Sequence, residues 1–203
     1  LDKMIALCHE YGVLCIADEV MTGFGRTGTT FAVNQLKNKP DLMCMSKGLT
    51  GGTLPMSITT CNQKIYNAFL SNDLTKAFLH GHSFTGNPVG CAVSLASLDL
   101  LEKQKCQDNI KRIIKSHQAF AEEIKNHPKI DNLRQTGTIL AIELTDENSG
   151  YASDLRTRLY KHFLSEGILI RPLGNVIYIL PPYCITECEL STVYSATKKA
   201  LKL

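Results

Sequence analysis

The order of hydrophobic and polar positions divides the chain into short apolar runs and longer stretches with apolar residues at helical spacing. Three short runs, at residues 13–17, 41–46 and 56–61, are bounded by glycine, proline or polar residues. Runs of this length indicate strands, and the first is typical of a buried parallel strand. Residues 3–11 carry apolar side chains at the spacing of a helix. A helix followed by strands therefore opens the chain.

The second half continues this alternation of helices and strands. Asn87 followed by Pro88 indicates the N-cap and first position of a helix, and residues 104–126 have the pattern of a long amphipathic helix. We further predict a strand at 137–144, a helix at 151–167 ended by Gly167, two strands within 168–180 around a turn at Gly174 and Asn175, and a last helix with a capping box between Thr186 and Glu189. This order predicts an α/β architecture, which we divide into domains at 1–100 and 101–203.

Composition excludes several classes of function. The net charge of +3 comes without long basic runs, which gives no reason to expect nucleic acid as a partner. No apolar run approaches the ~18 residues that cross a membrane, and no signal peptide is evident. The eight cysteines form no C-x-x-C pair, so we expect reduced thiols and a cytoplasmic protein. A zinc site is possible, but the spacing of histidines and cysteines does not support one, and we assign no metal ligands.

The chain begins without methionine and enters directly into a helical pattern. We therefore expect it to be part of a longer chain. If so, apolar surface that the missing part would cover should be exposed, and the fragment alone should be inactive.

The stretch "GFGRTG" at residues 23–28 has the form G-x-G-x-x-G, which also occurs in dinucleotide-binding sites. In those sites the first glycine follows the strand directly and the last begins a helix. Here Asp18 and Glu19 occupy the end of the strand, where their charges would repel a pyrophosphate. The glycines are better explained as a tight loop beneath a ligand.

Asp18 stands at the carboxyl end of the first predicted strand, where α/β sheets place ligands. A cap or a salt bridge to Arg26 would explain it structurally. A functional aspartate here requires a cationic partner, such as a protonated ring nitrogen.

Lys47 likewise follows an apolar strand, and Gly48 makes the next turn tight. Partial burial would lower the pKa of such a lysine, and a neutral amine attacks aldehydes. A surface lysine in a turn is the ordinary alternative for Lys47 alone. Together, an acid for a pyridine nitrogen and an amine for an aldehyde are the two groups that pyridoxal phosphate requires.

The segment "FLHGHSFTGNPVGC" at 78–91 places Ser83 shortly before a helix. A hydroxyl and backbone N–H groups near a helix N-terminus are natural phosphate donors. His80 and His82, taken singly, are better explained as ordinary loop residues.

The three motifs "IADEVMTGFGRTG", "PDLMCMSKGLTGG" and "HGHSFTGNPVGCA", in this order, resemble the class III aminotransferases. The resemblance extends over nearly all 203 residues and corresponds to the C-terminal half of such an enzyme. It implies fold type I of the enzymes that use pyridoxal 5'-phosphate, with residues 1–100 in the large cofactor-binding domain and 101–203 in the small domain. It also implies a homodimer with shared active sites.

The resemblance assigns roles to individual residues. Lys47 is similar to the lysine that bonds to the cofactor and moves the proton, and Asp18 to the partner of the pyridine nitrogen. The remaining assignments are Val20 against the ring, His82 and Ser83 at the cofactor phosphate from the other subunit, Gly81 beside the substrate, and Arg171 at the carboxylate of a keto acid. The family usually has Pro-Thr where this chain has His-Ser, which weakens the case for His82 more than for Ser83. A structural salt bridge is the alternative for Arg171.

The motifs are most similar to those of the biotin-pathway enzymes that form 7,8-diaminononanoate from 8-amino-7-oxononanoate. The partners implied are a small-molecule amino donor and a keto acceptor. Two alternatives stay open: another ω-amino group transaminase, acting on ornithine or 4-aminobutyrate, and a non-catalytic module that keeps the fold.

Overall fold

The computed structural model describes residues 1–145 and 154–202, and it divides into two compact units, Leu1–Lys103 and Gln104–Leu203. The helices and strands in chain order are α1 Asp2–Glu10, β1 Ile16–Asp18, β2 Leu42–Met45, β3 Ile58–Cys61, α2 Gln63–Phe69, α3 Pro88–Glu102, α4 Gln104–Ile124, β4 Ile130–Thr136, β5 Ile139–Leu144, α5 Asp154–Ser165, β6 Val176–Ile179 and α6 Glu187–Ala200. The predicted α/β architecture is confirmed.

The first unit contains a three-stranded sheet in the order β1-β2-β3. Strands β1 and β2 are parallel, with Asp18 in register with Cys44, whereas β2 and β3 are antiparallel. The parallel pair brings the carboxyl ends of β1 and β2 to one edge of the sheet, which is the edge that the sequence predicts to carry a ligand.

The expected burial of the first strand is wrong: β1 is largely exposed, and so is β3. Ile16 in β1 is 66% exposed, and all four residues of β3 are exposed. Both strands lie at edges of the sheet, so each has a hydrogen-bonded neighbour on one side only. The single buried residue of the sheet is Met45, on the central strand.

Helix α3 begins where the sequence predicts. The side chain of Asn87 accepts a hydrogen bond from the backbone N–H of Gly90, and Pro88 occupies the first turn. Gly90 and Ser94 are the buried residues of this helix; the Ser94 hydroxyl donates to the Gly90 carbonyl at 2.8 Å and lies 3.4 Å from the sulfur of Met56. Small side chains therefore let α3 approach the segment that leads into β3.

The second unit contains an antiparallel sheet in the order β4-β5-β6. Two of its features differ from the sequence-based expectation. Strand β4 has a mostly polar sequence and was not expected, and of the two strands expected within 168–180 only β6 forms. The other expected strand does not form because two of its residues cannot donate to a sheet. Pro172 has no N–H, and the N–H of Ile168 caps α5 by donating to the carbonyl of Phe163.

Local capping signals in the second unit are confirmed. Helix α5 ends before Gly167, whose φ of 75° is in the left-handed region. Its predicted first residues, 151–153, lie outside the described residues. Thr186 and Glu189 form the expected capping box of α6.

The cores of the two units differ in size. A cluster of thirteen buried hydrophobic residues fills the second unit, from Phe120 on α4 to Leu201 after α6. The corresponding cluster of the first unit contains three: Phe24, Met45 and Leu49. Among the described residues, no helix is long and apolar enough to cross a membrane.

Candidate active site

Asp18 and Lys47 lie at the same edge of the first sheet. Asp18 ends β1 and is in register with Cys44 on the parallel neighbour β2, and Lys47 follows Cys44 by three residues. The structure therefore brings a carboxylate and a primary amine, which are distant in sequence, to the carboxyl ends of two hydrogen-bonded strands.

The two adjacent carboxylates have different surroundings. Asp18 is exposed, and its Oδ1 accepts a hydrogen bond of 3.0 Å from the N–H of Val20. Glu19 is buried, and its Oε1 accepts from the N–H of Val33 at 2.8 Å while Oε2 accepts from the Thr22 hydroxyl. Glu19 thus holds the loop together, and Asp18 keeps acceptor capacity for a ligand.

Lys47 opens a 3-10 turn, Lys47–Thr50, directly after β2. Its side chain is exposed, which differs from the partial burial expected from the sequence. The reason is that Lys47 lies beyond the end of the strand, in the turn. Within the part of the chain that the structure describes, the Lys47 ammonium has no hydrogen bond or ion pair, so it remains available to a ligand.

The backbone around Lys47 is fixed on three sides. The Ser46 hydroxyl donates to the carbonyl of Met56 at 2.7 Å, and the Ser97 hydroxyl on α3 donates to the carbonyl of Gly48 at 3.1 Å. The N–H of Gly52 donates to the carbonyl of Lys47 at 3.0 Å. An exposed side chain is thereby attached to a main chain that hydrogen bonds hold in place, which suits a catalytic amine.

Phe24, the residue between the first two glycines of the "GFGRTG" loop, packs on Gly48. A Cβ added to Gly48 would lie 2.6 to 2.8 Å from three atoms of the Phe24 side chain. Phe24 is buried, has a φ of 59° and contacts Phe31 edge-to-face. The loop therefore positions the residue after Lys47, a role that the sequence did not reveal because the two residues lie 24 positions apart.

Gly81, His82 and Ser83 lie in an exposed segment before α3. Every residue from 79 to 86 is exposed. The His82 ring accepts a hydrogen bond from the N–H of Phe84 through Nδ1 at 3.2 Å, and its backbone N–H donates to Thr85 Oγ1 at 3.0 Å. His82 therefore already makes hydrogen bonds within its own turn, whereas Ser83 is exposed to solvent.

Among the described residues, no hydrogen bond joins His82 or Ser83 to Asp18 or Lys47. Their contact with a cofactor phosphate therefore stays a prediction.

Arg171 lies in the second unit, on the extended segment that precedes the turn between Leu173 and Val176. Its side chain is exposed and, among the described residues, forms no ion pair. The structural salt bridge that the sequence left open is therefore absent from the described part of the chain, where the planar guanidinium suits a carboxylate.

Comparison with known proteins places these features in a family. Residues 1–201 match the family model described as aminotransferase class-III. Over 196 residues the chain is 45% identical to the adenosylmethionine-8-amino-7-oxononanoate aminotransferase of Synechococcus elongatus, covering 97% of this chain and 46% of that protein. The enzyme of the same description from Geobacter sulfurreducens is 40% identical over 201 residues, 96% of this chain and 44% of the relative.

Solved structures agree. The crystal structure of adenosylmethionine-8-amino-7-oxononanoate aminotransferase from Methanocaldococcus jannaschii superposes with a TM-score of 0.90 at 37% identity, over 99% of this chain and 48% of that one. A Bacillus anthracis aminotransferase also superposes with a TM-score of 0.90, at 30% identity over 99% of this chain and 48% of that chain. These neighbours confirm the expected fold type I. The chain spans about half the length of the relatives it matches, and it belongs to the class III aminotransferases.

Proposed function

We propose that this chain is the C-terminal half of an aminotransferase that moves an amino group to 8-amino-7-oxononanoate and so forms 7,8-diaminononanoate for biotin synthesis. The observation that carries the proposal is the pair of Asp18 and Lys47 at neighbouring ends of parallel strands in a class III chain. The names of the relatives support the substrate.

The residues at this edge fit pyridoxal 5'-phosphate. When bound, this cofactor supplies an aldehyde that bonds to a primary amine and a ring that withdraws electrons. Lys47 Nζ is the amine, and once free it moves a proton at the substrate carbon. The Asp18 carboxylate holds a proton on the ring nitrogen, and Val20, tied to Asp18 by its N–H, packs against the ring face.

Substrate and phosphate contacts complete the proposed site. Arg171 binds the carboxylate of the acceptor through its planar guanidinium, and Gly81 borders the substrate. His82 and Ser83 bind the cofactor phosphate of the second subunit in a homodimer. Phe78, Leu79 and Phe84, which expose apolar surface beside them, support this assignment.

The proposed partners are thus a small-molecule amino donor and a keto acceptor in a cytoplasmic homodimer. The turnover assay would identify the amino donor, S-adenosylmethionine or lysine. An ω-amino group transaminase of the ornithine or 4-aminobutyrate type remains the second candidate, because an omega-transaminase from Thermomicrobium roseum superposes with a TM-score of 0.89 at 29% identity.

The test uses the full-length protein that carries this chain. The cofactor absorbance should change on adding a donor and return on adding 8-amino-7-oxononanoate, and borohydride should fix the cofactor to Lys47. Lys47→Ala should abolish the fixed label. Turnover with ornithine or 4-aminobutyrate but not with 8-amino-7-oxononanoate would establish the second candidate. Failure of the protein to bind the cofactor would indicate a non-catalytic module.

A further inference from the structure

A second group of potential ligand atoms lies at the amino ends of β1 and β2, opposite the strand ends that carry Asp18 and Lys47. His9 is near the end of α1, Cys15 directly precedes β1, and Asp41 directly precedes β2. One ligand atom from each lies within 4.8 Å of the others, and His9 Nε2 is 3.5 Å from Asp41 Oδ2. The length of β1, about 10 Å, separates this group from Asp18.

The group is held by the backbone. Asp41 Oδ2 accepts a hydrogen bond from the N–H of Cys15 at 2.8 Å, and Oδ1 accepts from the Asn62 amide at 2.7 Å. The N–H of Asp41 in turn donates to the carbonyl of Cys15 at 2.9 Å. These bonds orient the carboxylate in the way that outer partners orient metal ligands, and they keep Cys15 and Asp41 side by side.

The chemistry of the group matches one cation in particular. An imidazole nitrogen, a thiol sulfur and a carboxylate oxygen are the three ligand types that Zn²⁺ accepts, and structural sites take four ligands in a tetrahedron. These three protein ligands leave the fourth position of a tetrahedron to water. All eight cysteines are free thiols. We propose that His9, Cys15 and Asp41 form a zinc site at the amino ends of β1 and β2.

Charge and access support this site. Binding Zn²⁺ replaces the proton of the Cys15 thiol, which leaves to solvent, and the metal charge offsets the thiolate and carboxylate. The His9 side chain is 39% exposed and the Asp41 side chain 12%, so a cation can enter from the His9 side.

The sequence alone does not indicate this site. His9 and Asp41 are 32 positions apart, and only the parallel pairing of β1 with β2 brings Cys15 beside Asp41. No Cys-x-x-Cys spacing is present to mark it.

The test uses the full-length protein, reduced and freed of metal by a chelator. One equivalent of Zn²⁺ should bind tightly enough to compete with a colorimetric chelator. Co²⁺ in its place should give a thiolate-to-metal charge-transfer band and the intense visible bands of tetrahedral cobalt. Cys15→Ser and His9→Gln should each weaken Zn²⁺ binding by at least ~100-fold, because removing even an outer partner weakens metal binding by about 10- to 100-fold.

Matched controls lie in the second unit. Cys188→Ser and His127→Gln change the same residue types away from the group and should leave the tight equivalent intact. His9 is an exposed residue near a helix end, so His9→Gln should fold even if Cys15→Ser does not. The absence of thiolate charge transfer with Co²⁺, or unchanged zinc affinity in His9→Gln, would overturn the proposal while leaving the proposed aminotransferase activity untouched.

Discussion

At the scale of single residues, neighbouring side chains of the same type have separate tasks. Both carboxylate oxygens of Glu19 accept hydrogen bonds within its loop, whereas Asp18 at the strand end accepts one hydrogen bond and is exposed to solvent. Lys47 and Arg171 are likewise exposed and have no ion pair among the described residues. Charged groups that the fold does not use are the ones available for chemistry.

Replacing Asp18 by asparagine keeps the shape of the side chain and removes its charge. Since a charge-assisted hydrogen bond is worth about 1.5–3 kcal/mol, we expect transamination in the full-length enzyme to fall roughly 10- to 100-fold or more. Cofactor binding should persist in part, measured by absorbance titration. Glu19→Gln is the matched comparison and should instead lower the free energy of unfolding. Unchanged turnover in Asp18→Asn would assign Asp18 to the structure alone.

Replacing Arg171 by alanine should affect the two half-reactions unequally. Losing a bidentate contact with the acceptor carboxylate costs roughly 2–4 kcal/mol, or about 30- to 1000-fold in acceptor efficiency. The half-reaction with a donor that does not use the contact should change less. Stopped-flow absorbance of the cofactor separates the two. An equal loss in both would indicate a folding role, and no loss in either would favour the ornithine or 4-aminobutyrate type of enzyme.

At the scale of secondary structure elements, the turn after β2 depends on the absence of a side chain at Gly48. A Cβ there would lie 2.6 Å from the Phe24 ring, closer than packed atoms allow. Gly48→Ala should therefore lower the free energy of unfolding by about 1–3 kcal/mol, the usual effect of overpacking, and displace Lys47. Chemical denaturation and the yield of borohydride labelling report the two effects.

Gly81→Ala is the control for stability, since its added Cβ would meet its nearest atom at 3.9 Å. If Gly48→Ala were as stable as Gly81→Ala and labelled normally, the contact with Phe24 would have no positioning role.

His117 joins the elements of the second unit. Its Nε2 lies 3.1 Å from the carbonyl of Thr138 and donates to it, so Nδ1 accepts from the Tyr194 hydroxyl on α6 at 2.7 Å. Burial rather than this network favours the neutral ring, since the Tyr194 hydroxyl could also accept from a protonated Nδ1. Burial lowers the pKa of His117 from 6.5 to about 4.

This pKa predicts a pH dependence of stability. Because the folded pKa lies below the unfolded one, the contribution is full above about pH 6.5 and is lost as the pH falls toward 4, up to about 3 kcal/mol. Denaturant unfolding at several pH values should show a shallower acid loss in His117→Gln than in the unchanged chain. His127→Gln should keep the full loss. Parallel curves for His117→Gln and the unchanged chain would show that the ring is not held neutral.

These elements also show which contacts can be predicted from the sequence. Asn87, Thr186 with Glu189, and Gly167 act within four residues of their partners, and each was predicted from the sequence. The contact of Phe24 with Gly48 and the bond from Ser97 to Gly48 link residues 24 and 49 positions apart, and no local pattern indicates them. Asp18 and Lys47 were predicted as a pair because each lies at the end of a strand. Their position at the same edge of the sheet depends on the pairing of β1 with β2.

At the scale of the whole molecule, the two units differ in how well they cover their own apolar surface. Of the twenty-four large hydrophobic side chains that are exposed in the described residues, twenty lie within 1–103 and four in the second unit. The first unit therefore exposes many more large apolar side chains than the second. The expectation of exposed apolar surface, made from the sequence, is confirmed.

This asymmetry predicts unequal hydrogen exchange in the 203-residue chain. Amides of β5 and β6, whose buried side chains belong to the large core, should exchange slowly, and those of β1 and β3 rapidly. Mass spectrometry of peptides from each unit measures this. The same peptides from the full-length protein provide the comparison, and β1 should be protected there. Equal protection of β1 and β5 in the isolated chain would contradict the prediction.

The contact between Phe24 and Gly48 also constrains the order in which the two positions can change during evolution. Every amino acid except glycine carries a Cβ, so any single replacement at position 48 meets the Phe24 ring first. A smaller side chain at position 24 removes that obstacle and leaves a cavity that a later Cβ at position 48 would partly fill. The two positions are therefore epistatic: Phe24 has to change before Gly48, and paired mutational scanning should recover the double variants only along that route.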